Sequence, residues 1–172
     1  AELDAANPQY VVAAAEMLIA MNKHEEAKAL LTGRSADFQH NAAIRQSLGQ
    51  IAMLQRDYPK AVEFYSDARR LAPDDVMVLE ELVRAQIAAG DYREAEFNLA
   101  VLLKADANKN RRDLETLRAQ CLMRTGRTNE ARAILNRLTA GDEGSRDLNA
   151  WVLLGQACAE LNDAPRMRMV SA

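Results

Sequence analysis

Apolar and small residues recur along this chain at three- and four-residue intervals, and the register resets at turn residues, a pattern that predicts successive amphipathic helices. Between Ala42 and Asp75, Ile44, Leu48, Gly49, Ile51 and Ala52 mark one helical face, and Ala61, Phe64, Tyr65, Ala68 and Leu71 mark the next. Each helix has one face to bury, so the two predict a hairpin. The alanine that opens the second helix returns: Ala27, Ala61 and Ala95 lie 34 residues apart, Ala131 follows 36 later, and Met167 36 after that. A period of this size is the mark of stacked repeats. The first helices end at Asn22, Arg56, Gly90, Gly126 and Asn162, and only Arg56 is not a type that enters a left-handed conformation cheaply.

Taken in order, residues 1–7 read as the tail of a preceding repeat, followed by repeats over 8–41, 42–75, 76–111 and 112–147 and a partial repeat over 148–172. Asn7 and Pro8 suit the cap and first turn of a helix to about Met21, and His24 to Leu31 reads as its short partner. Phe38 is expected to pack back from the connector that follows. Helices are predicted from Val76 to Ala89, Tyr92 to Lys104, Asp113 to Thr125 and Thr128 to Leu138, with the longer connector after Lys104 placed in a surface loop. Asp147 caps the helix bearing Trp151, and Pro165 opens the last one. Ends cut across a repeat predict a piece of a longer array, since internal repeats expose apolar faces to their neighbours.

Leu48-Gly49, Tyr58, Ala61, Tyr65, Ala68, Leu71 and Pro73, and again Trp151, Leu154 and Gly155, resemble the tetratricopeptide repeat pattern. The departures are Leu82-Val83 in place of Leu-Gly, and Arg118 before Ala119. The resemblance implies an all-α fold, an α-α superhelix (solenoid) of tandem helix-turn-helix hairpins.

Composition agrees, with 7 Gly, 4 Pro and few β-branched runs. A net charge of −3 argues against a dedicated nucleic-acid binder. No apolar run approaches the roughly 20 residues that span a bilayer, so direct membrane insertion is not expected and the chain reads as soluble, cytoplasmic or periplasmic. His24 and His40, the two histidines, read as surface residues without metal-ligand spacing. Cys121 and Cys158 fall one repeat apart on equivalent helices, too far for a disulfide, and read as buried small residues. No nucleophile elbow, phosphate loop or dinucleotide fingerprint occurs, so neither catalysis nor a cofactor is expected.

The resemblance further implies that first helices line an inner groove holding a peptide or helix of a partner protein. In that register Glu16, Gln46, Gln50, Met53, Met77, Arg84, Ile87, Gln120, Met123 and Arg124 are the candidate contacts. Two stripes repeat within them. Glu16, Gln50, Arg84, Gln120 and Gln156 are polar, and Ile19, Met53, Ile87 and Met123 are apolar, a line that more often packs between neighbouring helices than binds a partner. Where co-chaperone relatives clamp a carboxylate with lysine, asparagine and arginine, this chain has Val12, Glu16, Ser47, Met77 and Glu81, which cannot form that clamp. Nine Lys or Arg against four acids between Lys104 and Leu138 allow two readings, a solvated outer face carrying Arg127, Arg132 and Arg137, which is favoured, or an acidic partner segment near Arg124. The expected function is a non-catalytic protein-binding scaffold. The alternatives are self-assembly into a homo-oligomer through terminal repeats and a recruiting domain for an enzyme outside this segment.

Overall fold

The computed structural model describes residues 7–33, 40–108, 110–141 and 146–161. Among them are nine α-helices: α1 (Pro8–Ala20), α2 (His24–Thr32), α3 (Ala42–Leu54), α4 (Tyr58–Leu71), α5 (Val76–Ala89), α6 (Tyr92–Leu102), α7 (Arg112–Arg124), α8 (Thr128–Leu138) and α9 (Leu148–Glu160), with a 3-10 turn at Asp106–Asn108. The expectations for Phe38, Asn162, Pro165, Met167 and the first six residues fall outside the described residues. The chain divides into two compact units, Ala1–Ala89 and Gly90–Ala172.

In the first unit α1 packs on α2, α3 on both, and α4 on α3 and α5. Its core joins Val11, Ala15 and Ile19 of α1 to Ala27 and Leu31 of α2 and to Ile44, Leu48 and Ile51 of α3. In the second unit α7 packs on α6 and α8, and α9 on α7 and α8. There the core unites Ala119, Leu122 and Met123 with Ala131, Leu135 and Leu138 and with Ala150, Leu154 and Ala157. The periodic alanines Ala27, Ala61, Ala95 and Ala131 are all 0% exposed. A methyl group is what fits where paired helices cross most closely.

The helix ends follow from local chemistry. The side chains of Asn7, Asn41, Asp57, Asp75 and Asp147 accept hydrogen bonds from the backbone N–H groups of Gln9, Ile44, Lys60, Val78 and Ala150, at 3.0 to 3.4 Å. Three of the turns inside hairpins share one arrangement. Asn22, Arg56 and Gly126 donate to Ile19, Met53 and Met123 carbonyls, and the next residues, Lys23, Asp57 and Arg127, donate to Leu18, Ala52 and Leu122 carbonyls. This is the Schellman closure, and its pivot must be left-handed. Arg56, the residue that broke the sequence pattern, adopts φ 60°, beside 58° at Asn22, 88° at Gly90 and 80° at Gly126. The conformation is imposed by the hairpin on a residue that disfavours it.

His24 is half-buried, with its Nδ1 enclosed and without a hydrogen-bond partner among the described residues. Cys121 and Cys158 are free and buried, as their spacing predicted. Burial, helped by the Glu96 carboxylate, pushes the Cys121 thiol up to about 11, which holds it as an unreactive thiol at neutral pH.

Arg56→Gly is expected to stabilise the first unit by about 0.5–1 kcal/mol, because glycine occupies the left-handed pivot without the Cβ clash. Urea unfolding followed by circular dichroism checks this, and an unchanged or lowered midpoint contradicts it. Gly49→Ala is expected to do the opposite. A Cβ there would lie 2.9 Å from the Tyr65 ring, which is itself buried. The overpacking should outweigh the gain in helix propensity and cost about 1–2 kcal/mol in the same measurement.

Candidate functional site

On α3, Ala43, Gln46, Ser47 and Gln50 recur at helical spacing on the face turned away from Ile44, Leu48 and Ile51, so burying the latter leaves the former to line an opening. Val12 and Glu16 join it from α1, one turn apart, and Met77 and Glu81 from α5, also one turn apart. Together they bound a groove of about 270 Å³ within the first unit. A second hollow of about 210 Å³ continues it along α1, sharing Val12, Glu16 and Ala43 and adding Pro8, Gln9, Ala13 and Asn41.

Tyr65 of α4 also lines the groove. Gly49 is what admits it, for any larger residue there would collide with the ring. Only 2% of the residue is exposed, and its hydroxyl takes no hydrogen-bond partner among the described residues. Burial, reinforced by the nearby Glu81 carboxylate, raises the phenol well above its usual range, so the group stays protonated as a donor. Ser47, by contrast, spends its hydroxyl on the Ala43 carbonyl of its own helix at 3.0 Å.

Of the residues expected from sequence, Glu16, Gln46, Gln50 and Met77 meet in this groove. Arg84 is exposed one turn beyond, its guanidinium 3.4 Å from the Glu81 carboxylate. Met53 and Ile87 are partly buried and do not line the opening. Met123 is corrected: at 9% exposure it packs in the core of the second unit, as Ile19 does in the first, so the apolar stripe is largely inter-helix packing. Gln120 is half-buried, and Arg124 lies over the Tyr92 ring at 5.2 Å. The sequence reading considered Glu81 only as a position of the absent clamp and did not place Tyr65 in the groove; the glycine opposite an aromatic one hairpin-helix later was the signal for Tyr65.

The basic stretch of the second unit is largely paired internally. Glu96 of α6 accepts from Arg118 at 2.9 Å and Arg127 at 3.2 Å, and Arg127 also grips Glu130. Arg137 reaches Glu115 at 2.7 Å, Arg111 pairs with Asp113, and Arg112 bridges Asp147 and the Leu138 carbonyl. The Arg127 guanidinium correspondingly holds the Glu130 carboxyl below its ordinary value. No group of three or more metal-ligating side chains gathers among the described residues. No helix among them is long and apolar enough to cross a membrane.

Comparison with known proteins places these features in a family. Two tetratricopeptide repeat models match residues 12–76 and 52–118, and a model of the anaphase-promoting complex (cyclosome) subunit 3 matches 88–164. No curated protein matches the chain. Among solved structures, the chain is similar to YrrB, described as a tetratricopeptide protein with an unusual peptide-binding site, at 15% identity and a TM-score of 0.82 over 97% of this chain and 84% of that one. It is similar to MamA from Desulfovibrio magneticus at 15% identity and a TM-score of 0.81, over 99% and 96% of the two chains. A chain of the Naa15/Naa10 assembly bound to HypK is matched at 23% identity and a TM-score of 0.64, over 91% of this chain and 24% of that one. At these identities the likeness concerns the fold, which is the all-α solenoid of tandem hairpins. With repeat models spanning residues 12–118 without a gap, the chain belongs to the tetratricopeptide repeat family.

Proposed function

We propose that this chain is a non-catalytic scaffold that holds an extended segment of a partner protein in the groove formed by α1, α3, α4 and α5. The observation that carries the reading is the convergence of Glu16, Gln46, Gln50, Met77 and the Tyr65 hydroxyl on one opening. The two glutamine amides offer both donors and acceptors to a main chain, and Met77, 71% exposed, offers an adaptable apolar contact. Helices fixed by their own core lose little freedom on binding, so the ordering cost falls on the partner. The peptide-binding site named for YrrB and the bound HypK of the Naa15/Naa10 assembly support work of this kind on this fold.

Peptides selected on the chain from a random dodecapeptide display should lose about tenfold in affinity with the Gln46→Ala/Gln50→Ala double variant, since two partner-facing hydrogen bonds are removed. Glu63→Ala, on the exposed side of α4, should leave them unchanged. Isothermal titration gives both numbers. Selected peptides indifferent to the groove variant would contradict the reading.

A second reading, self-association, is supported by Tyr10, Met17 and Met21, which form an exposed apolar stripe along α1. It predicts a sedimentation coefficient that rises with concentration and falls to a constant monomer value in Met17→Asp. A monomer at all concentrations in the unaltered chain removes it.

A further inference from the structure

We infer that the segment seated in the first unit's groove is basic, an extended stretch carrying an arginine or lysine beside an aliphatic residue. The inference rests on the groove reading above and adds the chemistry of the occupant. Glu16 and Glu81 enter the groove from different helices, and none of its lining residues is a lysine or arginine. No described residue pairs with Glu16. Glu81 has only Arg84, three residues along its own helix and more than half exposed, and a pair of that kind contributes little and leaves the carboxylate open to a second cation. An acidic segment would instead set like charges together in a partly desolvated hollow.

The Tyr65 hydroxyl is the independent observation. It is the polar end of a side chain only 2% exposed, it opens on this groove, and it has no partner among the described residues. A protonated phenol at the floor of a groove is a donor waiting for an acceptor, and the backbone carbonyl of an extended segment supplies one. With that carbonyl anchored, neighbouring side chains project to either side of the segment. One cationic head then reaches Glu16 or Glu81, while its methylene stem and an adjacent aliphatic residue rest on Val12 and Met77.

The test uses the full chain with methyl-labelled methionine and three pools of decapeptides, degenerate at every position except a central residue fixed as arginine, glutamine or glutamate. Anisotropy of the labelled pools at low ionic strength should rank arginine about tenfold above glutamine, with glutamate weakest. The arginine pool should shift the Met77 methyl resonance and leave those of Met17 and Met21 in place. Glu16→Gln/Glu81→Gln should bring the arginine pool down to the glutamine pool, with the Met123 core resonance unchanged as the check on folding. Tyr65→Phe should weaken all three pools several-fold and keep their order, because it removes a main-chain contact. Equal binding of the three pools with Met77 shifted would overturn the basic occupant and leave the groove reading standing. Shifts confined to Met17 and Met21 would overturn both. An arginine preference that survives the double glutamate variant, or no binding by any pool, would also overturn the proposal.

Discussion

The structure depends on how closely two helices of a hairpin can approach. A small side chain permits a close approach, and Ala27 and Ala61 of the first unit and Ala131 of the second each bury a methyl group fully. Once the helices are that close, leucines and isoleucines one turn away interlock across the hairpin and with the next, which yields the two cores around Ile44 and Leu135. The turn must then reverse the chain within two or three residues. Its left-handed pivot follows from that constraint, and even Arg56 complies. Gly49 is the same principle applied between α3 and α4, where the missing side chain makes room for a whole aromatic ring.

That last substitution of space links packing to function. Because Gly49 admits Tyr65, the ring of a second-helix residue reaches through to a groove otherwise lined from α1, α3 and α5, and brings a hydroxyl donor to it. The groove is thus a product of the stacking and needs no separate loop or insertion. Its walls are helices whose opposite faces are committed to the core, so Glu16, Gln46, Gln50 and Met77 are held on a rigid frame.

The two units treat charge differently. In the second, arginines and acids of successive helices find one another: Arg118 and Arg127 on Glu96, Arg137 on Glu115. These pairs are partly exposed and each contributes modestly, yet they tie several cations of the stretch from Lys104 to Leu138 to acids of the chain itself. In the first unit the groove carboxylates are left with little internal compensation. Net charge along a sequence does not show which charges are already paired, because pairing between helices is invisible to it.

Helical periodicity, the small residues at crossings and the turn residues were enough to place the described helices to within a residue or two, because each of these is a local property of the chain. The face of α3 carrying Gln46 and Gln50 was readable for the same reason, as the complement of its apolar stripe. What sequence alone could not decide was which of two partly apolar stripes is covered by a neighbour: Met123 and Ile19 belong to the core, while Met77 is open. Burial depends on what packs from elsewhere in the chain, and so does the donor that Tyr65 brings across from another helix. Local pattern determined the elements; only their packing decided which side chains remain free to meet a partner.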